Sequence, residues 1–257
     1  MRIAVVSDIH SNLPALDAVL RDLPPDVERI WCLGDMVNYY AHPHECLAAL
    51  HADPRTDVSC WLLGNHDAAV VGTVPADQIN QYGQATLAYT REHLSNEERA
   101  FLRGRPLARE MRLGGIDISL AHGSPADPLW HYVRTPADAA RAAEDTTCQL
   151  IVVGHTHLAQ AFVNQEGAWQ PIDLQAVHGV LPIGSDRMLV NVGSVGQPRD
   201  GNRRAAYLLI DPVQAAVTFR RCRYPVTVAR RAVWHLMKSS APPNLLRDLV
   251  ERLSTAL

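Results

Sequence analysis

The 257-residue chain has no apolar run long enough to cross a bilayer as a helix, so no membrane association is expected. Charge of either sign is not in excess: 24 Lys and Arg stand against 27 Asp and Glu, a net charge of -3. That balance removes the electrostatic basis for stable nucleic-acid or membrane-surface binding. The five cysteines (Cys32, Cys46, Cys60, Cys148 and Cys222) include no Cys-x-x-Cys pair and are odd in number. The pattern fits reduced thiols in a cytosolic protein, several of them simply buried in strands. The opening run Ile3-Ala4-Val5-Val6 is too short for a signal-peptide core and soon meets Asp8, so a cytoplasmic location is expected. There is no internal repeat, long linker or low-complexity tract, and one domain over residues 1–257 is expected.

What the chain does have is alternation. Strands read at Ile3–Ser7, Arg29–Leu33 and Val58–Leu63 are separated by helices over Ala15–Arg21, capped by Ser11 or Asn12, and about His44–His51. Such alternation predicts an α/β fold with a largely parallel sheet in this half. Residues 75–105 are polar and helix-favouring, with Ser95-x-x-Glu98 fitting a capping box; they read as a helical excursion, either a cap over a site or a packing helix. Leu113-Gly114-Gly115-Ile116 marks a hairpin leading into Ile116–Ala121, and a helix near Pro136–Glu144 precedes Leu150–Val153. Beyond His157 the chain turns β-rich, with strands at 158–163, 168–173, 188–192, 205–210 and 216–223, expected to pair as a second sheet against the first. The tail, about 226–257, reads as two helices broken at Ser239-Ser240-Ala241-Pro242-Pro243. Its Leu245, Leu246, Leu249, Val250 and Leu253 form an apolar face that either folds back or makes a homo-oligomer contact.

The apolar runs share an ending. Five of them finish at Asp8/His10, Asp35, Asn65/His66, His122 and His155/His157, four with a glycine alongside. In open α/β sheets, sites form outside the carboxyl ends of strands, so these side chains are expected along one edge of a sheet. A lone His-x-His is weak evidence for a metal; five such endings are strong evidence. Mixed carboxylate, amide and imidazole donors without thiolate suit Mn, Fe, Co, Ni or Zn. Two ions about 3.5–4 Å apart can bridge a hydroxide and clamp the attacking and leaving oxygens of a phosphoryl group. Asp35 is the only plausible bridging carboxylate if Asp8 belongs to one ion. Two dications against two carboxylates leave a positive centre, so an anionic substrate is expected.

Asp8-x-His10, Gly34-Asp35, Gly64-Asn65-His66-Asp67, His122 and Gly154-His155-x-His157 resemble, in order, the motif set of the calcineurin-like metallophosphoesterases. The resemblance covers residues 1 to about 225. Ser11-Asn12-Leu13-Pro14, His122-Gly123-Ser124-Pro125 and Asn191-Val192-Gly193-Ser194-Val195-Gly196 are similar to its bacterial and archaeal phosphodiesterase-like branch. The resemblance implies a four-layer sandwich, two packed mixed β-sheets flanked by α-helices. It implies two divalent ions, with Mn the first choice: Asp8, His10 and His157 on one, Asn65, His122 and His155 on the other, and Asp35 between them. It gives His66 the role of proton donor to the leaving oxygen, or of its electrostatic stabiliser. The activity implied is hydrolysis of a small phosphorylated, nucleotide-like substrate by a bridging hydroxide.

One departure bears on substrate. Protein phosphatases of this superfamily continue Gly-Asp-x-Val with Asp-Arg-Gly, where this chain has Asn38-Tyr39-Tyr40. The change removes the carboxylate that orients the histidine and the arginine that holds phosphate. It ranks phosphodiester, cyclic-nucleotide and dinucleoside-polyphosphate substrates above phosphomonoesters and phosphoproteins, with a metal-binding scaffold on the same fold as the non-enzyme alternative. Arg199, through its planar fork, is a candidate to hold phosphate. Asn12, Asn38 and Tyr39 are candidates to line the pocket, whereas Asp67 reads as a helix cap or an acceptor behind the ligands.

Overall fold

In the computed structural model, which describes residues 1–238, strands β1 (Arg2–Val6), β2 (Val27–Cys32) and β3 (Thr56–Trp61) run parallel. The helices α1 (Leu13–Asp22) and α2 (Pro43–Ala52) connect them. Asn12 caps α1: its Oδ1 accepts from the Ala15 amide at 3.3 Å, while Pro14 sits in the first turn, where its missing N–H costs nothing. After β3 come α3 (Asn65–Val71), α4 (Gln81–Glu92) and α5 (Asn96–Arg103), the last begun by the Ser95–Glu98 capping box. The hairpin β4 (Ala108–Leu113) and β5 (Ile116–Ala121), α6 (Pro136–Ala142) and β6 (Leu150–Val153) follow.

The remaining strands are β7 (Ala159–Gln165), β8 (Ala168–Pro171), β9 (Val180–Pro182), β10 (Met188–Val192), β11 (Ala205–Asp211) and β12 (Ala216–Cys222), and α7 (Val226–Lys238) ends the described chain. They do not build a sheet of their own, contrary to expectation. They complete two mixed six-stranded sheets, ordered β3-β2-β1-β11-β12-β9 and β4-β5-β6-β10-β7-β8. Burial supplies the reason. Strands β10 and β11 are apolar on both faces, so each needs the middle of a sheet, beside the equally buried β6 and β1.

The sheets pack through Ile3, Val5, Trp31 and Leu33 of one against Ile118, Leu120, Val152 and Val190 of the other. The outer face of the first sheet is covered by α1 to α5, and that of the second by Ala139 and Ala142 of α6. The result is the expected four layers. Truncating a fully buried member such as Leu120 to Ala would cost about 2–5 kcal/mol. The second helix expected in the tail falls in 239–257, outside the described residues.

Candidate metal centre

The five strand endings come together, but from both sheets rather than one. Strands β1, β2 and β3 deliver Asp8 and His10, Asp35, and Asn65; β5 and β6 deliver His122 and the His155–His157 pair. The two sheets are tied at this edge, where His122 Nδ1 lies 2.9 Å from the Leu33 carbonyl. The loops are tightly wound. Asp8, His10, Asp35, His155 and His157 all take φ between 51° and 66°, a region that non-glycine residues seldom occupy and that stores about 1–3 kcal/mol each. Cross-loop bonds hold them there: the His10 amide donates to the Asp35 carbonyl at 2.9 Å, and Gly196 to Asp8 at 2.9 Å. At Gly64 a Cβ would fall 2.1 Å from Asp35 Oδ1, so only glycine lets α3 start this close to that carboxylate.

Two trios of buried donor atoms result, Asp8–His10–His157 and Asp35–His122–His155. In the first, His10 Nε2 and His157 Nε2 are 3.1 Å apart, and Asp8 Oδ1 is 3.2 Å from His157 Nε2. In the second, His122 Nε2 is 3.1 Å from His155 Nδ1, 3.1 Å from Asn65 Oδ1 and 3.4 Å from Asp35 Oδ2. Asp35 Oδ2 is also 3.6 Å from His10 Nε2, which puts one carboxylate oxygen within reach of both trios.

The tautomers say what belongs between them. Nδ1 of His10, His122 and His157 faces the carbonyls of Val37, Leu33 and Gln197 at 3.3, 2.9 and 2.6 Å. A carbonyl only accepts, so each Nδ1 carries its proton and each neutral ring turns an Nε2 lone pair inward. Those three inward Nε2 atoms are then acceptors. Asp8 Oδ1 and Asp35 Oδ2 are buried and have no hydrogen-bond partner among the described residues. Lone pairs 3.1 Å apart repel unless a proton or a cation lies between them, so the donor set fits divalent metal ions, with carbonyls as the outer partners of the histidines.

Electrostatics agree. Without an ion, burial opposes charge on His122, yet Asp35 beside it raises its pKa to about 9, a proton standing where a cation fits. Burial drives His155 down to about 3, with His122 adding repulsion, and lowers His157. Burial also works against the Asp35 carboxylate, but His122 and His66 hold its pKa well below the usual range.

His66 stands beside this cluster without joining either trio, its ring centroid 5.1 Å from that of His10 and 4.5 Å from that of Tyr39. Burial lowers its pKa to about 4. Its Nδ1 lies 3.0 Å from Asn38 Nδ2. Asn38 is fully buried and committed to protein partners, and Asn12 gives its amide to the Gly196 carbonyl at 2.7 Å. The buried Tyr39 bonds Asn80 through its hydroxyl at 2.5 Å. Arg199 is exposed; its guanidinium donates to Gln197 Oε1 at 2.6 Å, and its charge is felt by His66 and His157. Asp67 accepts from the amides of Met36, Val37 and Gly64, holding the β2 loop and the α3 start together. Sequence reading missed Tyr132, which stacks on His155 at 4.0 Å with Arg134 over its ring at 4.5 Å. Nothing local in Leu129-Trp130-His131-Tyr132 marks it; His131 instead bonds Ser124 Oγ at 2.8 Å.

The chain is similar to several known proteins. An uncharacterized protein of Methanocaldococcus jannaschii (MJ0912) is 36% identical over 245 residues, 93% of each chain. The crystal structure of a metallophosphoesterase from Sphaerobacter thermophilus superposes with a TM-score of 0.80 at 34% identity, covering 100% of this chain and 99% of that one. A symmetrical bis(5′-nucleosyl)-tetraphosphatase of Acidovorax ebreus is 28% identical over 205 residues, 77% of this chain and 66% of that protein. The family model of the calcineurin-like phosphoesterase superfamily domain matches residues 1–214, and this chain belongs to that superfamily.

Proposed function

We propose that the chain is a dinuclear metal-dependent hydrolase of phosphodiester or nucleotide-type phosphoanhydride and cyclic phosphate bonds. The observation that carries this reading is Asp35 Oδ2, buried, unpartnered and within 3.6 Å of a nitrogen of each trio. Asp8, His10 and His157 would hold the first ion and Asn65, His122 and His155 the second, with Asp35 within reach of both sites. Manganese is the first choice for a donor set of oxygen and imidazole nitrogen without thiolate. When bound, the ions supply a water-derived nucleophile at neutral pH and neutralise charge on the phosphoryl group.

The chain's own groups do the rest. His66 offers a hydrogen bond to the leaving oxygen, and the exposed Arg199, whose charge reaches His66, meets the outer phosphate oxygens through its fork. The absence of an arginine at Tyr39 ranks diesters and anhydrides above phosphoproteins. The tetraphosphatase among the relatives makes a dinucleoside polyphosphate the first nucleotide to try. The five cysteines, all free and buried, suit a cytoplasmic protein.

The test is hydrolysis of a phosphate panel after metal stripping and Mn²⁺ reconstitution. The panel holds a chromogenic diester, its monoester, a 2′,3′-cyclic nucleotide, a dinucleoside tetraphosphate and a phosphopeptide. Metal-dependent cleavage of the diester, cyclic or polyphosphate members is expected. Preference for the monoester or phosphopeptide would overturn the substrate class, and silence with two ions bound would overturn the enzyme reading.

A further inference from the structure

The wall beside the metal centre contains a buried polar chain. Asn38 follows β2 with φ at 79°, its side chain pointing between α3 and α4. The Nδ2 end lies 3.1 Å from the Gly83 carbonyl and 3.0 Å from His66 Nδ1. At the other end, Oδ1 receives the Thr86 hydroxyl at 2.6 Å, and that hydroxyl in turn accepts from the Tyr39 amide at 3.2 Å. Asn38 and Thr86 are fully buried.

The partners decide which end of the amide is which. A carbonyl oxygen only accepts, so the end facing Gly83 must be the NH₂. The reversed amide would set two carbonyl oxygens about 3.1 Å apart in a site closed to water, where nothing screens their repulsion. With the amide so fixed, one of its N–H groups points at His66 Nδ1, and that nitrogen must accept.

We propose that Asn38, clamped by Gly83 and Thr86, is a positioning residue that holds His66 as the neutral Nε2–H tautomer. Among the described residues no group bonds Nε2, and it is not sealed from solvent, so its N–H is free to meet substrate. Two consequences follow, both resting on the phosphoesterase reading. His66 gives its N–H as a hydrogen bond to an oxygen gaining charge and keeps the proton, because no group behind it is placed to replace one. Leaving groups that depart as stable anions are therefore favoured over alkoxides. Among nucleotide-type bonds that selects phosphoanhydrides, whose leaving group is itself a phosphate.

The test is the ¹⁵N spectrum of the histidine-labelled, full-length protein loaded with diamagnetic Zn²⁺, the His66 signals assigned by their loss in His66→Gln. A pyridine-like Nδ1 with a pyrrole-like Nε2 is expected. A pyrrole-like Nδ1, or two protonated nitrogens, overturns the proposal whatever the activity. Asn38→Asp should move the proton to Nδ1, and Thr86→Val, which frees the amide to turn, should give a mixture. If neither variant changes the spectrum while remaining folded, Asn38 is not what sets the tautomer. The wild-type spectrum decides the matter even if both variants fail to fold. With metal content unchanged, Asn38→Asp should lower kcat more than it changes KM, by no more than the about 10²–10⁴-fold of a whole acid-base histidine. The expected spectrum from a protein silent on every phosphate would uphold the tautomer and sink the phosphoesterase reading.

Discussion

The edge that carries the candidate ligands and the wall that carries His66 are both buried and polar, yet one is incomplete and the other satisfied. On the edge, Asp8 Oδ1, Asp35 Oδ2 and the inward imidazole lone pairs converge with no donor among the described residues to meet the two carboxylate oxygens. Along the wall, Asn38, Thr86 and the Gly83 carbonyl use one another's donors and acceptors. Buried acceptors without a partner are costly, so the edge is stable only with an added cation or proton, whereas the wall needs nothing from outside. The two regions should therefore answer differently to substitution. Edge changes should show in metal content and wall changes in turnover.

The largest effect should come from the edge residue whose carboxylate lies within reach of both trios. Asp35→Asn removes the charge whose Oδ2 lies 3.4 Å from His122 Nε2 and 3.6 Å from His10 Nε2. Metal content by elemental analysis should fall at both positions together and turnover should vanish. Two ions retained would break the comparison at its centre. On the wall, His66→Ala should leave both ions bound and reduce kcat by about 10²–10⁴-fold. Full activity in that variant would remove His66 from the chemistry.

This division also separates what could be read from the sequence from what could not. Edge residues sit within four positions of a strand end, usually beside glycine, and a strand ending is a local signal. So Asp8, His10, Asp35, Asn65, His122, His155 and His157 could be named before any coordinates. What could not be read was that β5 and β6 belong to a different sheet from β1 to β3, since nothing in a buried strand names its neighbours. The wall is joined through space, across the 45 residues from Asn38 to Gly83 and the 48 from Asn38 to Thr86. It depends on left-handed φ at Asn38 and Tyr39, which neither residue type declares. One signal was present: Gly83, Thr86 and Thr90 recur on one face of α4, a small polar stripe that no apolar core would cover. That stripe decides between a cap and a packing helix, because α4 packs its polar side against the wall that carries Asn38 and His66.

Gly83 sharpens the comparison further. Local propensity says that alanine in the first turn of α4 should stabilise the helix by up to about 1 kcal/mol. The neighbour says otherwise, since a Cβ there would stand 2.7 Å from His66 Cε1 and 3.1 Å from Nδ1. The ring must shift, and displacement of a reacting group by about 1 Å costs up to about 10²-fold in rate. Gly83→Ala should therefore keep its metal and lose turnover, without the gain in melting temperature that helix propensity alone predicts. An active, stabilised Gly83→Ala would mean that His66 has room to spare.

The smallest effect expected, and the one that contrasts the regions within a single protein, is in pH. In the metal-free protein His122 titrates at about 9, because Asp35 stabilises its cation against burial. Its folded pKa lies above the ordinary 6.5, so the proton stabilises the empty protein fully below pH 6.5, and that stability is lost as pH rises through 9. An incoming ion needs the Nε2 lone pair and must expel that proton. Apparent affinity for Mn²⁺ should then rise about tenfold per pH unit from 7 toward 9 and flatten beyond. His66 is shifted the other way, to about 4 by burial, and so is already neutral across this range and adds nothing to the slope. Titration against a competing chelator at several pH values should give the same slope in wild type and His66→Ala and a flatter one in His122→Ala. If His66→Ala also flattens the slope, the wall takes part in ion binding and the two regions are one.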